Sequence, residues 1–114
     1  MVENSISLDG LIMNAVETDP NGVIGVDTIF NFHQAGNNVH CDYAGGKVLH
    51  GYLVGVVNEK KLKFRYCQLE SDGSLNGGAS NCELIDTNGL TQIVEYFEWE
   101  SRPGKGKNVI QEMK

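Results

Sequence analysis

The chain is 114 residues long, 40% hydrophobic and 21% charged, and carries a formal net charge of −6. This length and composition predict one ordinary globular domain over residues 1–114 and exclude a disordered chain. The negative charge disfavours nucleic acids and anionic membrane surfaces as partners, and no apolar window approaches the roughly 20 residues of a membrane-spanning helix.

The N-terminus and the cysteines indicate the compartment. The first ten residues, MVENSISLDG, contain no basic segment followed by an apolar run, so we expect no signal peptide. The cysteines, Cys41, Cys67 and Cys82, are odd in number and have no C-x-x-C spacing. This pattern is typical of a reduced compartment, and we expect a cytoplasmic protein.

Turn signals recur at short intervals and divide the chain into eight predicted strands. Glycine next to Asn, Asp or another glycine supplies the positive φ that tight hairpins need, and the segments between mostly alternate apolar and polar residues. The short apolar run 11–16, a weak helix candidate, is interpreted as a strand. The predicted strands are 10–18, 23–35, 38–44, 47–57, 61–70, 74–86, 90–101 and 108–113.

The short connections between these strands predict the topology. Consecutive hairpins make an antiparallel up-and-down meander, and eight such strands commonly close into a barrel. Closure removes the two exposed edge strands that would otherwise pair with other chains. The predicted fold is therefore all-β, a small closed or nearly closed barrel with no long helix.

Two turns in the C-terminal half predict one common inward face. A two-residue turn at Asn88-Gly89 and a three-residue loop over residues 71–73 each fix a strand register, and register decides which side chains share a face. Both registers place small residues between large ones. The predicted pairs are Leu84 with Ile93, Cys82 with Glu95, Ser80 with Phe97, Gly78 with Trp99 and Tyr66, Phe64 with Ser80, and Leu62 with Cys82.

The strand 47–57 is less well determined, because two kinds of turn fit residues 58–60. We favour a three-residue loop, since it buries more aromatic and β-branched surface, at roughly 25 cal/mol per Å². A two-residue turn would exchange the inward and outward faces of this strand. The favoured loop puts His50, Tyr52, Val54 and Val56 inside, and the alternative turn puts Leu49, Gly51, Leu53 and Gly55 inside.

The favoured register also predicts the neighbours of Cys41. With turns at Gly36-Asn37 and Gly45-Gly46, Cys41 lies opposite Phe32 on one side and His50 on the other. The same turns set Val48 opposite Tyr43 and leave His33 and His40 on the outer, solvated face.

The predicted interior mixes apolar side chains with many polar ones. Buried polar groups without partners cost about 1–3 kcal/mol each, so this many are hard to satisfy in a dry core. Some are therefore expected at a solvated mouth or polar cavity, where small barrels bind ligands. The candidate ligand-binding residues are Tyr43, His50, Tyr52, Tyr66, Gln68, Glu95 and Trp99, with Gln34 and Asn76 on the same face.

Glu95 lies in the segment IVEYFEWE, with apolar residues on its own face. Burial among them would raise the pKa of this carboxyl group. Two interpretations stay open. Glu95 either accepts a proton or holds a ligand, or it makes a structural hydrogen bond to a tyrosine hydroxyl or to His50.

A catalytic or metal site is not predicted. The pair of Cys41 and His50 lacks a third orienting group, an oxyanion hole and a recognised metal-ligand spacing. The loop RPGKGK, residues 102–107, does not match the phosphate-binding pattern and is interpreted as a flexible hairpin loop. We therefore expect no metal and no cofactor.

Five strings of turn glycines and interior residues carry a resemblance to a known group. They are F-x-F-x-Q-x-G-N (30–37), V-x-C-x-Y-x-G-G (39–46), G-x-L-x-G (51–55), L-x-F-x-Y (62–66) and E-x-F-x-W (95–99). From Asn21 onward the chain resembles small bacterial proteins labelled N-acetylglutamate synthases, which implies an acetyltransferase using acetyl-coenzyme A. At the level of the fold alone, the predicted barrel is similar to avidins and lipocalins.

These observations favour a non-catalytic barrel that binds a small polar or amphipathic molecule at its mouth. The acetyltransferase is the first alternative, although the chain contains no Q/R-x-x-G-x-G/A loop for coenzyme A. The second alternative is an interaction or structural module, in which Leu49 and Leu53 cover one barrel face in a homodimer.

Overall fold

The computed structural model describes residues 6–113 and shows an all-β closed barrel. Each of its eight antiparallel strands pairs with the next, and β1 pairs with β8. This confirms the predicted meander and its closure. The strands are β1 Ile12–Glu17, β2 Ile29–Ala35, β3 Asn38–Gly45, β4 Val48–Asn58, β5 Lys61–Glu70, β6 Leu75–Thr87, β7 Leu90–Trp99 and β8 Lys105–Glu112.

Residues 1–5, on which part of the signal-peptide prediction depends, and residue 114 lie outside the described residues. Within 6–113, no helix is long and apolar enough to cross a membrane. We call the barrel end with the β3–β4, β5–β6 and β7–β8 connections the upper end, and the opposite end the lower end.

The register of β5, β6 and β7 is the predicted one. Asn88 and Gly89 both have positive φ, 53° and 82°, as a two-residue hairpin turn with the right twist requires. Gly78 lies between Tyr66 and Trp99 on the neighbouring strands. A Cβ on Gly78 would collide with the carbonyl oxygen of Glu98, so only glycine allows β6 and β7 to approach this closely.

The favoured register of β4 is wrong. Asn58 pairs with Lys61 across a two-residue turn, in which Glu59 has a φ of 58°. The inward and outward faces of β4 are therefore exchanged relative to our preferred prediction. His50, Tyr52, Val54 and Val56 face outward, whereas Gly51, Leu53 and Val57 are buried.

Neighbouring rings explain why the buried-area argument failed for β4. The Tyr43 ring lies directly over Gly51, where a Cβ would be 2.5 Å from Tyr43 Cζ. Gly55 is equally close to Phe64, whose Cβ would lie 2.7 Å from an added methyl group. Positions 51 and 55 on the inward face of β4 therefore have to be glycine, because the Tyr43 ring of β3 and the β5 chain at Phe64 leave no room for a side chain there.

A β-bulge between Val48 and His50 completes the correction of this strand. It turns Val48 inward and leaves Leu49 and His50 exposed, so the alternative register was also wrong at Leu49. The β3–β4 turn is also displaced, since Gly45 pairs with Val48 and the turn residues are 46 and 47 rather than the predicted 45 and 46. Together these changes pair Cys41 with Leu53, not His50, and Tyr43 with Gly51, not Val48. The predicted pairing of Cys41 with Phe32 is confirmed.

Segments outside the strands cover both ends of the barrel. At the lower end Leu8 is fully buried, and its backbone N–H donates to Gln34 Oε1 at 2.9 Å. At the upper end the β1–β2 loop, residues 18–28, lies over the opening. Residues 23–28 belong to this loop, so the predicted start of β2 at residue 23 was too early.

We predict that Gly78→Ala lowers the free energy of unfolding by about 1–3 kcal/mol, because the added methyl group overpacks β6 against β7. Gly25→Ala is the matched control, since nothing lies within 4 Å of a Cβ at that position. Its effect should stay within about 0.5 kcal/mol. Urea unfolding of both variants checks this, and equal stabilities would contradict the close approach.

Candidate functional site

The upper half of the barrel interior contains a cavity beneath the β1–β2 loop. Its walls are largely aromatic, and Gln68, Glu95 and Asn108 supply polar groups. Five of the seven predicted site residues line it: Tyr43, Tyr66, Gln68, Glu95 and Trp99. The prediction that His50 and Tyr52 lie inside was wrong, because the register of β4 turns both side chains to the outer surface.

The cavity is small while the loop covers it. The space open to the centre of a water molecule is about 30 Å³. One water needs about 10–15 Å³ by this measure, so the closed barrel has room for about two waters. Ligand pockets usually offer ~300 Å³ or more, so a larger molecule requires the loop to move.

Glu95 lies in the middle of the interior, 5% exposed, with both carboxyl oxygens hydrogen-bonded. The Ser80 hydroxyl donates to Oε2 at 2.6 Å, and Asn108 Nδ2 donates to Oε1 at 3.1 Å. Burial raises the pKa of Glu95, and these two hydrogen bonds partly oppose the rise. The predicted tyrosine or His50 partner was therefore wrong, and serine and asparagine take its place.

Tyr43 belongs to a hydrogen-bonded chain that the fold itself uses. Its hydroxyl donates to Gln68 Oε1 at 2.8 Å, and Gln68 Nε2 donates to Glu70 Oε2 at 3.0 Å. Asn76 Nδ2 donates to the same Glu70 oxygen at 3.2 Å. These buried groups satisfy one another, which explains how polar residues on this face avoid an unpaired burial cost.

Tyr66 differs from Tyr43 in that its hydroxyl is almost unused. Its closest partner is the carbonyl oxygen of Glu98 at 3.5 Å, well beyond the usual 2.7–2.8 Å of a hydroxyl hydrogen bond. Burial, and secondly the nearby Glu95, raise the pKa of Tyr66, so the group stays a neutral hydroxyl. It is the cavity hydroxyl most available to a ligand.

Trp99 joins the cavity to the loop that covers it. The indole packs edge-on against Tyr66, with ring centroids 5.5 Å apart. Its Nε1–H donates to the carbonyl oxygen of Asn21 at 2.8 Å. The guanidinium of Arg102 lies over the ring, 4.3 Å from the centroid, and covers it from the solvent side.

Sequence reasoning missed Asn108 and the loop residues Gly22, Val23 and Ile24. Asn108 lies opposite Glu95 on β8, so a register drawn from the β7–β8 connection would have found it. That connection has no two-residue turn to fix the register. Val23 and Ile24 were assigned to the predicted strand 23–35, and Gly25, which interrupts that strand, was the available signal against the assignment.

Cys41 does not form the predicted pair with His50. Cys41 and Cys82 are buried, and burial raises the pKa of both thiols. Neither is therefore a thiolate at neutral pH, which is the form a nucleophile requires. Cys67 lies exposed on the outer face of β5.

A family model described as avidin-like protein matches residues 6–113. The chain belongs to the avidin-like family. No curated protein and no solved structure matches it. The comparisons thus support the avidin-like fold, and they give no support to the resemblance to N-acetylglutamate synthases.

We predict that Glu95→Gln makes this avidin-like barrel less sensitive to pH. Burial raises the folded-state pKa of Glu95 above the unfolded value of about 4.3. Between the two pKa values the folded protein holds a proton that the unfolded chain has released. Its stability therefore falls as the pH rises above about 4, by up to about 1.4 kcal/mol per pH unit.

Glutamine has no proton to lose, so Glu95→Gln should gain stability relative to the parent as the pH increases. Urea unfolding from about pH 5 to 8 measures this difference. Glu98→Gln makes the same change at an exposed position of β7, and its curve of unfolding free energy against pH should run parallel to that of the parent. Parallel curves for parent and Glu95→Gln would show that the carboxyl group is charged throughout.

Proposed function

We propose that this avidin-like barrel binds a small polar or amphipathic molecule in its upper half, without catalysis. Support comes from a mainly aromatic cavity with few polar groups, the usual make-up of small-molecule sites. The observation that carries the proposal is Tyr66, which lines this cavity and whose hydroxyl has only a 3.5 Å contact.

The polar groups of the cavity then have different roles. Tyr66 donates a hydrogen bond to the ligand, while the Tyr43 hydroxyl is already donated to Gln68. Trp99 and Phe97 form an aromatic wall, with ring centroids 5.9 Å apart. Glu95, held by Ser80 and Asn108, presents an orienting carboxyl group rather than a free base.

A binding role fits the chemistry of the cavity better than catalysis. Both oxygens of Glu95 are engaged, and the buried thiols of Cys41 and Cys82 are protonated. Acetyl transfer from acetyl-coenzyme A stays a prediction for which the comparisons offer no support. A cytoplasmic location is likewise proposed, in keeping with the three unpaired cysteines.

We expect a metabolite screen by thermal shift to find a stabilising ligand. A ligand at about 100 times its Kd adds about 2.7 kcal/mol, or roughly 10 °C for a domain of this size. Tyr66→Phe should weaken its binding about tenfold while leaving stability nearly unchanged, because the fold hardly uses that hydroxyl.

Tyr52→Phe is the matched control, since the same hydroxyl is lost from a side chain that is 60% exposed on the outer face. The affinity of Tyr52→Phe for the ligand should equal that of the parent. If no compound raises the melting temperature, or if Tyr66→Phe binds as tightly as the parent, the proposal is wrong.

The outer face of β4 favours a second role, self-association. Leu53 is buried, so the predicted Leu49 and Leu53 surface does not exist. Instead the outward residues Tyr52, Val54 and Val56 form an apolar stripe, with exposures of 60%, 65% and 47%.

Charged residues flank this stripe on the neighbouring strands. Lys63 and Arg65 lie beside it on β5, and Asp42 lies beside it on β3. Opposite charges on its two sides suit a two-fold contact between copies.

We predict that the chain forms a dimer that Val54→Glu disrupts, because the new carboxylate would lose its water at the contact while Arg65 opposite it is already paired with Glu100. Light scattering over a concentration series measures the mass. Ile12→Glu adds the same charge to an exposed residue of β1 and should leave the dimer intact. A parent protein that is monomeric at all concentrations would exclude this role.

A further inference from the structure

The tip of the β1–β2 loop is fastened to β7 and β8 by hydrogen bonds. Trp99 Nε1 donates to the carbonyl oxygen of Asn21 at 2.8 Å, and Asp19 N donates to Asn108 Oδ1 at 3.1 Å. The Asp19 carboxylate also accepts from Lys107 N at 3.2 Å, and Asn21 Nδ2 donates to the Lys105 carbonyl oxygen at 2.9 Å. The tip is thereby held to one side of the barrel mouth.

Apolar groups of the same segment fill the mouth below these bonds. Val23 and Ile24 are half-buried, line the cavity and pack against the core. Gly22 lies so close to the Phe97 ring that an added Cβ would be 3.2 Å from Cζ. The aromatic walls of the proposed site are therefore already in contact with residues of the β1–β2 loop.

Two buried polar atoms of the cavity wall are satisfied by the loop backbone. Trp99 is 7% exposed and Asn108 is 3% exposed. The indole N–H of Trp99 needs an acceptor, and Oδ1 of Asn108 accepts a donor. Because unpaired buried polar groups are costly, a molecule that replaces the loop binds more tightly if it supplies both.

We infer that residues 19–24 are a displaceable plug, which occupies the ligand site and competes with the ligand. This inference rests on the proposed binding function and adds the ligand class. The ligand carries a compact branched apolar group in place of Val23 and Ile24. It also carries an amide, whose C=O accepts from Trp99 and whose N–H donates to Asn108.

Competition by the plug lowers the measured affinity. Only the fraction of molecules with the plug displaced can bind, so the apparent Kd is the intrinsic Kd divided by that fraction. Weakening the plug raises this fraction and tightens binding without adding any contact to the ligand. Truncating a plug residue should thus increase the affinity for the ligand, whereas truncating an ordinary binding residue decreases it.

The test titrates N-phenyl-1-naphthylamine, a neutral apolar fluorophore, into three proteins. They are the parent, the double variant Val23→Ala with Ile24→Ala, and Val26→Ala. Val26 lies in the same loop but is 62% exposed, so its truncation leaves the plug contacts in place. Trp99, the single tryptophan of the chain, reports by quenching that the probe reaches the mouth.

The double variant should bind the probe at least about fivefold more tightly than the parent, and Val26→Ala should match the parent. Asp19→Ala removes the bond from Lys107 N to the Asp19 carboxylate without touching Val23 or Ile24, so it weakens the hold of β8 on the loop and should also tighten binding. It replaces the double variant if that variant does not fold. Equal affinities in all the proteins would overturn the plug and leave the binding function standing. No quenching of Trp99 in any folded variant would overturn both.

Displacement of the probe tests the ligand class. N-isobutyl-3-methylbutanamide has a branched chain on each side of one amide, and isobutyl 3-methylbutanoate is the same shape without the N–H. The amide should displace the probe at about one tenth of the ester concentration, because the ester leaves Asn108 Oδ1 unpaired. Equal displacement by the two compounds would overturn the amide assignment.

Discussion

The width of the closed eight-stranded barrel is the constraint on which the rest of this structure depends. An interior of this size is just wide enough to be filled by side chains. Several of the large rings that point inward therefore have a small residue across from them. Gly51 provides that space for Tyr43, and Gly78 provides it for Tyr66 and Trp99. The glycines thus decide which faces point inward, and through them which polar groups reach the cavity.

The same constraint separates the two halves of the interior. Toward the lower end the core is apolar, with Leu62, Leu84 and Ile93 on adjacent strands and Leu8 covering the opening. Toward the upper end rings leave gaps at their edges, and polar groups occupy them. Most of those groups are paired with one another, as in the chain from Tyr43 through Gln68 to Glu70. A ligand therefore has few free partners, and the loop backbone holds two of them.

Local turn chemistry made the C-terminal half of the fold predictable from the sequence. Asn88-Gly89 fixes the register of β6 and β7, and Glu95 and Trp99 were placed correctly from it. The register of β4 was not predictable from buried area alone, because larger side chains in place of Gly51 would have needed the space that the Tyr43 ring occupies. The loop over the mouth was beyond local reasoning, since Asp19 and Asn108 are 89 positions apart along the chain.

Solution NMR of the protein with a ligand from the metabolite screen tests the central claim most directly, because it locates the bound molecule by residue. If the upper cavity is the site and the loop yields to the ligand, the indole N–H signal of Trp99 and the backbone amides of Gly22, Val23 and Ile24 will shift together. Shifts confined to Tyr52, Val54 and the other outward residues of β4, with the Trp99 indole unchanged, would contradict the account.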